Sequence, residues 1–125
     1  MTARPLVAVL DYGIGNLRSA QKALERVGAD ARLTADHDLI ASADGVVLPG
    51  GGAFGRCVQA LDTAELSDTA GDAARVAASG GRPFLGICIG MQLLYEASEE
   101  APGSAGLGVF EGRVAELRGD VKSPQ

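Results

Sequence analysis

A chain of 125 residues, 46% hydrophobic and 22% charged, has the size and balance of one ordinary globular domain with a real core. A net charge of −5 with no Lys/Arg cluster argues against nucleic acid as the main partner. One histidine, His37, and two distant cysteines, Cys57 and Cys88, cannot assemble a zinc set, so no metal is expected.

The opening MTARPLVAVLDYG does not read as a signal peptide, because its apolar run is only Leu6 to Leu10 and Asp11 closes it. No run approaches a membrane span, so a cytoplasmic location without membrane attachment is expected. A disulfide is not expected there.

Leu6 to Leu10 is a short, branched, continuous apolar run that predicts a strand buried on both faces. The turn DYGIGN follows, and Asn16 is placed to cap the next helix. Leu17, Ala20, Ala23, Leu24 and Val27 recur at helical spacing until Gly28. Ala31 to Leu33 predicts a second strand, and Gly45 to Leu48 a third that ends at PGGG, residues 49 to 52. Helices are predicted over Phe54 to Leu61 and Glu65 to Ala78, then a strand over Pro83 to Ile87 and a helix over Cys88 to Tyr95. After a loop at residues 102 to 108, Gly112 to Leu117 predicts an antiparallel strand near a sheet edge. Strands alternating with helices predict an α/β domain with a parallel sheet. Ligands bind outside the carboxyl ends of such strands. DYGIGN, PGGG and Cys88 all fall at such ends.

DYGIGN fails the dinucleotide fingerprint, since Arg18 stands at its third glycine, and no P-loop follows either. A tight turn that uses glycine flexibility is the reading its residues favour. PGGG is either a flexible loop or a bare backbone whose N–H groups can face a developing oxyanion. GICIG has the spacing of a nucleophile elbow, with Gly86 and Gly90 flanking Cys88 two residues away on each side. The thiol would stand at a helix N-terminus, and the N–H of Ile89 would be an oxyanion donor. Cys57 has no such context and reads as a packing residue. A thiolate needs a base. His37, within DHDL, reads as a solvated helix start away from the carboxyl end of the third strand, so Cys88 lacks a partner.

Taken together, DYGIGN, LPGGGAFG, PFLGICIGMQLLYEASEE and GLGVFEGRV resemble class I glutamine amidotransferases over residues 7 to about 118. More narrowly they resemble the glutaminase subunits of imidazole glycerol phosphate synthases, of histidine biosynthesis. The resemblance implies a flavodoxin-like parallel sheet with flanking helices and hydrolysis of glutamine to glutamate and ammonia, with no cofactor. It implies Cys88 as the nucleophile, Gly51 and Ile89 as the oxyanion hole, and Gly50, Gly52, Gln92 and Glu100 as contacts to glutamine. Asn16 matches a region near the interface with a separate (β/α)8-barrel cyclase subunit, which receives the ammonia in a heterodimer. The family usually has PGVG where this chain has Pro49 to Gly52. It also continues through a PHMGWN-like segment to a His-x-Glu pair that completes the triad. Residues 1–125 are therefore expected to be a single amidotransferase domain without its C-terminal part, and inactive alone. The alternatives are another amidotransferase, such as the glutaminase of pyridoxal phosphate synthesis, or a non-catalytic flavodoxin-like binding module that keeps the elbow only as structure.

Overall fold

The computed structural model describes residues 3–117. In chain order the elements are β1 (Leu6–Leu10), α1 (Leu17–Arg26), β2 (Asp30–Thr34), α2 (His37–Ser42), β3 (Gly45–Leu48), α3 (Phe54–Thr63) and α4 (Ser67–Ala78). Then come β4 (Phe84–Gly86), α5 (Ile89–Gln92), β5 (Ala97–Ser98) and β6 (Arg113–Val114). Strands β1 to β4 form a parallel sheet in the order β2-β1-β3-β4. That order reverses direction beside β1, the doubly wound pattern in which a crevice opens at the strand ends.

Alternation along the strands builds a core on each face of the sheet. Ala8 and Leu10 of β1, with Val46 and Leu48 of β3, join Ile40, Phe54, Cys57, Leu61, Leu66 and Leu93 in the larger cluster. Val9, Ala31 and Val47 point the other way, against Leu17, Ala20 and Leu24 of α1. Continuous apolar strands are what two covered faces require.

Asn16 caps α1 through its Oδ1, which accepts the Ser19 N–H at 3.4 Å. Asp36 caps α2 by accepting the Asp38 N–H at 2.9 Å. The far end of α2 is tied to the chain before β4, because Arg82 Nη1 donates to the Ile40 and Ala43 carbonyls at 2.5 and 2.9 Å.

Two predicted elements come out differently. The helix after Cys88 ends at Gln92, not at Tyr95. Its continuation is pre-empted by the loop after it. Leu107 N–H donates to the Leu93 carbonyl at 2.7 Å, Val109 N–H to that of Leu94 at 2.8 Å, and Gly106 N–H to that of Glu96 at 2.8 Å. Those carbonyls are taken from outside the helix. The expected antiparallel edge strand over Gly112 to Leu117 is corrected as well. Only Arg113–Val114 is extended, and it pairs in parallel with β5 in a separate two-stranded sheet. Glu96 N–H to the Gly112 carbonyl (3.0 Å) and Glu99 N–H to that of Val114 (2.9 Å) set this register. Residues 99–112 provide the long crossover a parallel pair needs.

Candidate active site

Three loops leave the carboxyl ends of neighbouring strands. Residues 11–16 follow β1, residues 49–53 follow β3, and Cys88 follows β4. Gly15, Asn16, Pro49, Gly50, Gly51, Ile87 and Cys88 line one open depression of about 710 Å³. The topology thus brings together the three segments that stood out in the sequence.

Cys88 has φ 57° and ψ −121°, one of two non-glycine residues with positive φ among those described. Such a conformation is strained by roughly 1–3 kcal/mol and persists only where neighbours enforce it. Here the enforcement is close packing on glycines. A Cβ on Gly86 would stand 2.7 Å from Met91 Cα, and one on Gly90 would stand 2.0 Å from the Leu48 carbonyl oxygen. A Cβ on Gly50 would stand 2.5 Å from the Gly90 nitrogen. Strand β4, helix α5 and the loop after β3 therefore meet backbone to backbone, with the exposed Cys88 thiol at the apex. This is the geometry of a nucleophile elbow.

The turn after β1 takes part too. A Cβ on Gly15 would lie 3.1 Å from Pro49 Cβ and 3.3 Å from the Gly50 nitrogen. The turn's glycine is thus a close-approach site as well as a flexible one.

Around Cys88, the Gly90 N–H donates to the Ile87 carbonyl (2.9 Å) and the Met91 N–H to that of Cys88 (3.0 Å). The N–H groups of Gly50, Gly51 and Ile89 donate to no acceptor among the described residues. An exposed thiol beside such donors suits attack on an acyl carbon whose oxygen becomes negative. The helix-dipole contribution is smaller than the sequence suggested, because α5 has only four residues over which peptide dipoles can sum.

Two buried side chains hold the glycine loop from inside, and sequence reasoning missed both. The Tyr12 hydroxyl donates to the Pro49 carbonyl at 2.5 Å, and the Cys57 thiol donates to the Gly51 carbonyl at 3.3 Å. Burial, reinforced by the neighbouring Cys57, pushes the Tyr12 phenol well above the usual tyrosine range. Cys57 does pack in the core, as expected, but its thiol also has a polar task. The helical spacing of Phe54, Cys57 and Leu61 marks an inward face without saying which carbonyl that face meets.

The remaining residues spread out. Gln92 and Glu100 line a separate depression of about 370 Å³ with Ser98, Glu99, Val114 and Glu116. Glu100 Oε1 accepts the Phe54 N–H at 3.4 Å, which links that depression to the end of the glycine loop. Gly52 is exposed with φ +74°. Asn16 is exposed at the rim of the Cys88 depression.

His37 opens α2 and is exposed, as expected, with Nδ1 3.0 Å from Thr69 Oγ1. Parallel strands share their carboxyl side, and the β2–α2 connection leaves from it, so His37 lies on the carboxyl side of the sheet. It follows β2, at the edge opposite β4, and it does not line the Cys88 depression. Among the described residues no group of three His, Cys, Asp or Glu could hold a metal ion.

Residues 8–121 match the family model for glutamine amidotransferase class-I. Among curated proteins, the chain is 49% identical over 120 residues to "Imidazole glycerol phosphate synthase subunit HisH" of Synechococcus elongatus, covering 96% of this chain and 53% of that protein. The protein of the same name from Mycobacterium bovis is 49% identical over 122 residues, covering 97% and 57%. That from Bacillus cereus strain G9842 is 41% identical over 119 residues, covering 95% and 55%. A solved structure described as "Crystal structure of glutamine amidotransferase" superposes with a TM-score of 0.66 at 24% identity, over 87% of this chain and 55% of that one. The chain spans about half the length of the curated relatives it matches.

Proposed function

This chain belongs to the class-I glutamine amidotransferase family, and on that premise we propose that it carries the nucleophilic part of a glutaminase. The Cys88 thiolate attacks the carboxamide carbon of glutamine, forming a C–S bond. The carbonyl oxygen becomes an oxyanion and takes hydrogen bonds from the N–H groups of Gly51 and Ile89. The C–N bond then breaks, ammonia leaves with an added proton, and water hydrolyses the glutamyl thioester to glutamate. Gly50, Gly52, Gln92 and Glu100 hold the substrate, and no cofactor enters the scheme.

The observation that carries the reading is the strained, exposed Cys88 at φ 57°, clasped between Gly86 and Gly90 where no side chain fits. A thiol needed only for packing would have no reason to stand exposed on a strained residue.

The names of the relatives support the narrower assignment, the glutaminase subunit of imidazole glycerol phosphate synthase. In that assignment ammonia passes to a (β/α)8-barrel cyclase subunit, the Asn16 turn lies near the interface, and the heterodimer works in the cytoplasm. No helix among the described residues is long and apolar enough to cross a membrane.

Ammonia departs well only if an acid protonates it, and water needs a base. His37 is engaged with Thr69 outside the Cys88 depression. Apart from Cys88, the described residues lining its depression carry no acidic or basic side chain, so in this reading the proton relay is supplied from beyond that lining.

The test is glutamate release by the full-length protein with its cyclase partner. Cys88→Ser should abolish it with folding barely altered. Cys57→Ser, which keeps a hydrogen-bond donor, should leave it intact. An active Cys88→Ser protein would refute the assignment.

A further inference from the structure

Three consecutive glycines have no side chains with which to anchor their own backbone, and they have more conformational freedom to lose than any other residues. Yet an oxyanion donor must be held in place before the reaction begins. In this chain the anchoring comes from the carbonyl side of the loop. Tyr12, 6% exposed, donates to the Pro49 carbonyl, and Cys57, 0% exposed, donates to the Gly51 carbonyl.

These carbonyls belong to the peptide units 49–50 and 51–52. The unit between them, 50–51, carries the Gly51 N–H. We propose that Tyr12 and Cys57 are positioning residues which, by fixing the peptide units on either side, set the direction in which the Gly51 N–H faces the oxygen of the carbonyl attacked by Cys88. The inference rests on the glutaminase reading, and it assigns that reading two residues from separate elements, the turn after β1 and helix α3.

The geometry favours this task over simple packing. A phenylalanine would fill the volume of Tyr12, and an alanine or valine would suit an apolar interior at position 57. Instead each position supplies a donor, and each donor ends on a carbonyl of the same loop. Gly15 and Gly90 press on the loop from other directions, with close approaches to Pro49 and Gly50. The loop is thus packed against backbone at Pro49 and Gly50 and tied at two carbonyls, and neither tie involves a group that would touch substrate.

The test compares two labels on Cys88 in the full-length protein with its partner. Iodoacetamide reports the thiolate alone, because its displacement reaction develops no oxyanion. A chloromethyl ketone analogue of glutamine places its carbonyl oxygen where the amide oxygen would sit, so its rate reports the oxyanion donors as well. Tyr12→Phe and Cys57→Ala should each slow the chloroketone by about tenfold, since loss of one oxyanion donor outright costs about 10²–10³-fold. The iodoacetamide rate should stay within about twofold. Cys57→Ser should restore the chloroketone rate.

Equal slowing of both labels, or no slowing of either, overturns the proposal, because a structural role alone would not separate them. If the parent protein reacts quickly with iodoacetamide but not with the chloroketone, the glutaminase reading itself fails and the positioning role falls with it. A parent that reacts with both, beside variants that match it, defeats only the positioning role.

Discussion

Replacing Gly90 by alanine should loosen the elbow and disable the site together. In isolation the change favours a helix, since alanine is better than glycine there by about 1 kcal/mol. In place, the new Cβ would stand 2.0 Å from the Leu48 carbonyl oxygen, 2.8 Å from Leu48 C and 3.1 Å from Pro49 C. The first contact is about 1 Å inside the roughly 3 Å limit that real Cβ atoms respect. The obstacle is backbone in the central strand β3, so no side-chain rotamer can relieve it. That carbonyl also accepts the Ile87 N–H at 2.9 Å, and retreat would weaken a bond worth about 1 kcal/mol. Overpacking of this kind costs about 1–3 kcal/mol, sometimes more. A net loss of about 2 kcal/mol is expected, measured as a lower urea midpoint at unchanged m-value. Moving Cys88 by about 1 Å should cost about a hundredfold in turnover. Gly103→Ala is the control, because nothing lies within 4 Å of its Cβ position. It should change stability by less than about 0.5 kcal/mol. A Gly90→Ala protein with parental stability and parental glutamate release would refute the packing argument.

Two further outcomes are expected. The raised pKa of Tyr12 makes stability depend on alkaline pH. Above about pH 10 the unfolded chain releases the phenolic proton while the folded chain keeps it. The unfolded state then binds fewer protons, so stability falls as pH rises, with a slope approaching about 1.4 kcal/mol per pH unit from this group. Below pH 10 its contribution is fully present. Urea midpoints from pH 8 to 11 should show this fall in the parent and a shallower one in Tyr12→Phe; identical slopes would contradict the burial argument. Separately, residues 1–125 purified alone and mixed with the proposed cyclase partner and its ligand should release no more glutamate than a Cys88→Ser control. Turnover matching the full-length subunit would mean that His37, or another residue here, serves as the proton relay.

Those features legible in the sequence were ones where a single physical demand dominates. Leu6 to Leu10 and Gly45 to Leu48 are apolar throughout because two covered faces demand it, and they form β1 and β3. Gly86 and Gly90 were legible because backbone contact between strand and helix leaves no alternative to glycine. Features set by distant partners were not legible. Leu93 to Tyr95 continue a helical pattern, but the N–H groups of residues 107–110 compete for the carbonyls there. Arg113 and Val114 carry nothing that distinguishes pairing with β5 from pairing with the main sheet. Tyr12 was hidden in a turn whose glycines explained it well enough alone. Its hydroxyl finds Pro49 only because β1 and β3 are neighbours in the sheet. Gln92 and Glu100 came from the family resemblance, and they line a different depression from the one that contains Cys88.

The central claim is that Cys88 forms a covalent bond to the glutamyl group, and trapping that bond tests it most directly. Full-length protein and its partner would be mixed with glutamine, quenched in acid during steady-state turnover, digested and mapped by mass spectrometry. The expected result is one glutamyl increment on the peptide carrying Cys88, removed by hydroxylamine as a thioester should be, with Cys57 unmodified. Glutamate released while Cys88 remains free at every quench time, under conditions where thioester breakdown limits the rate, would contradict it.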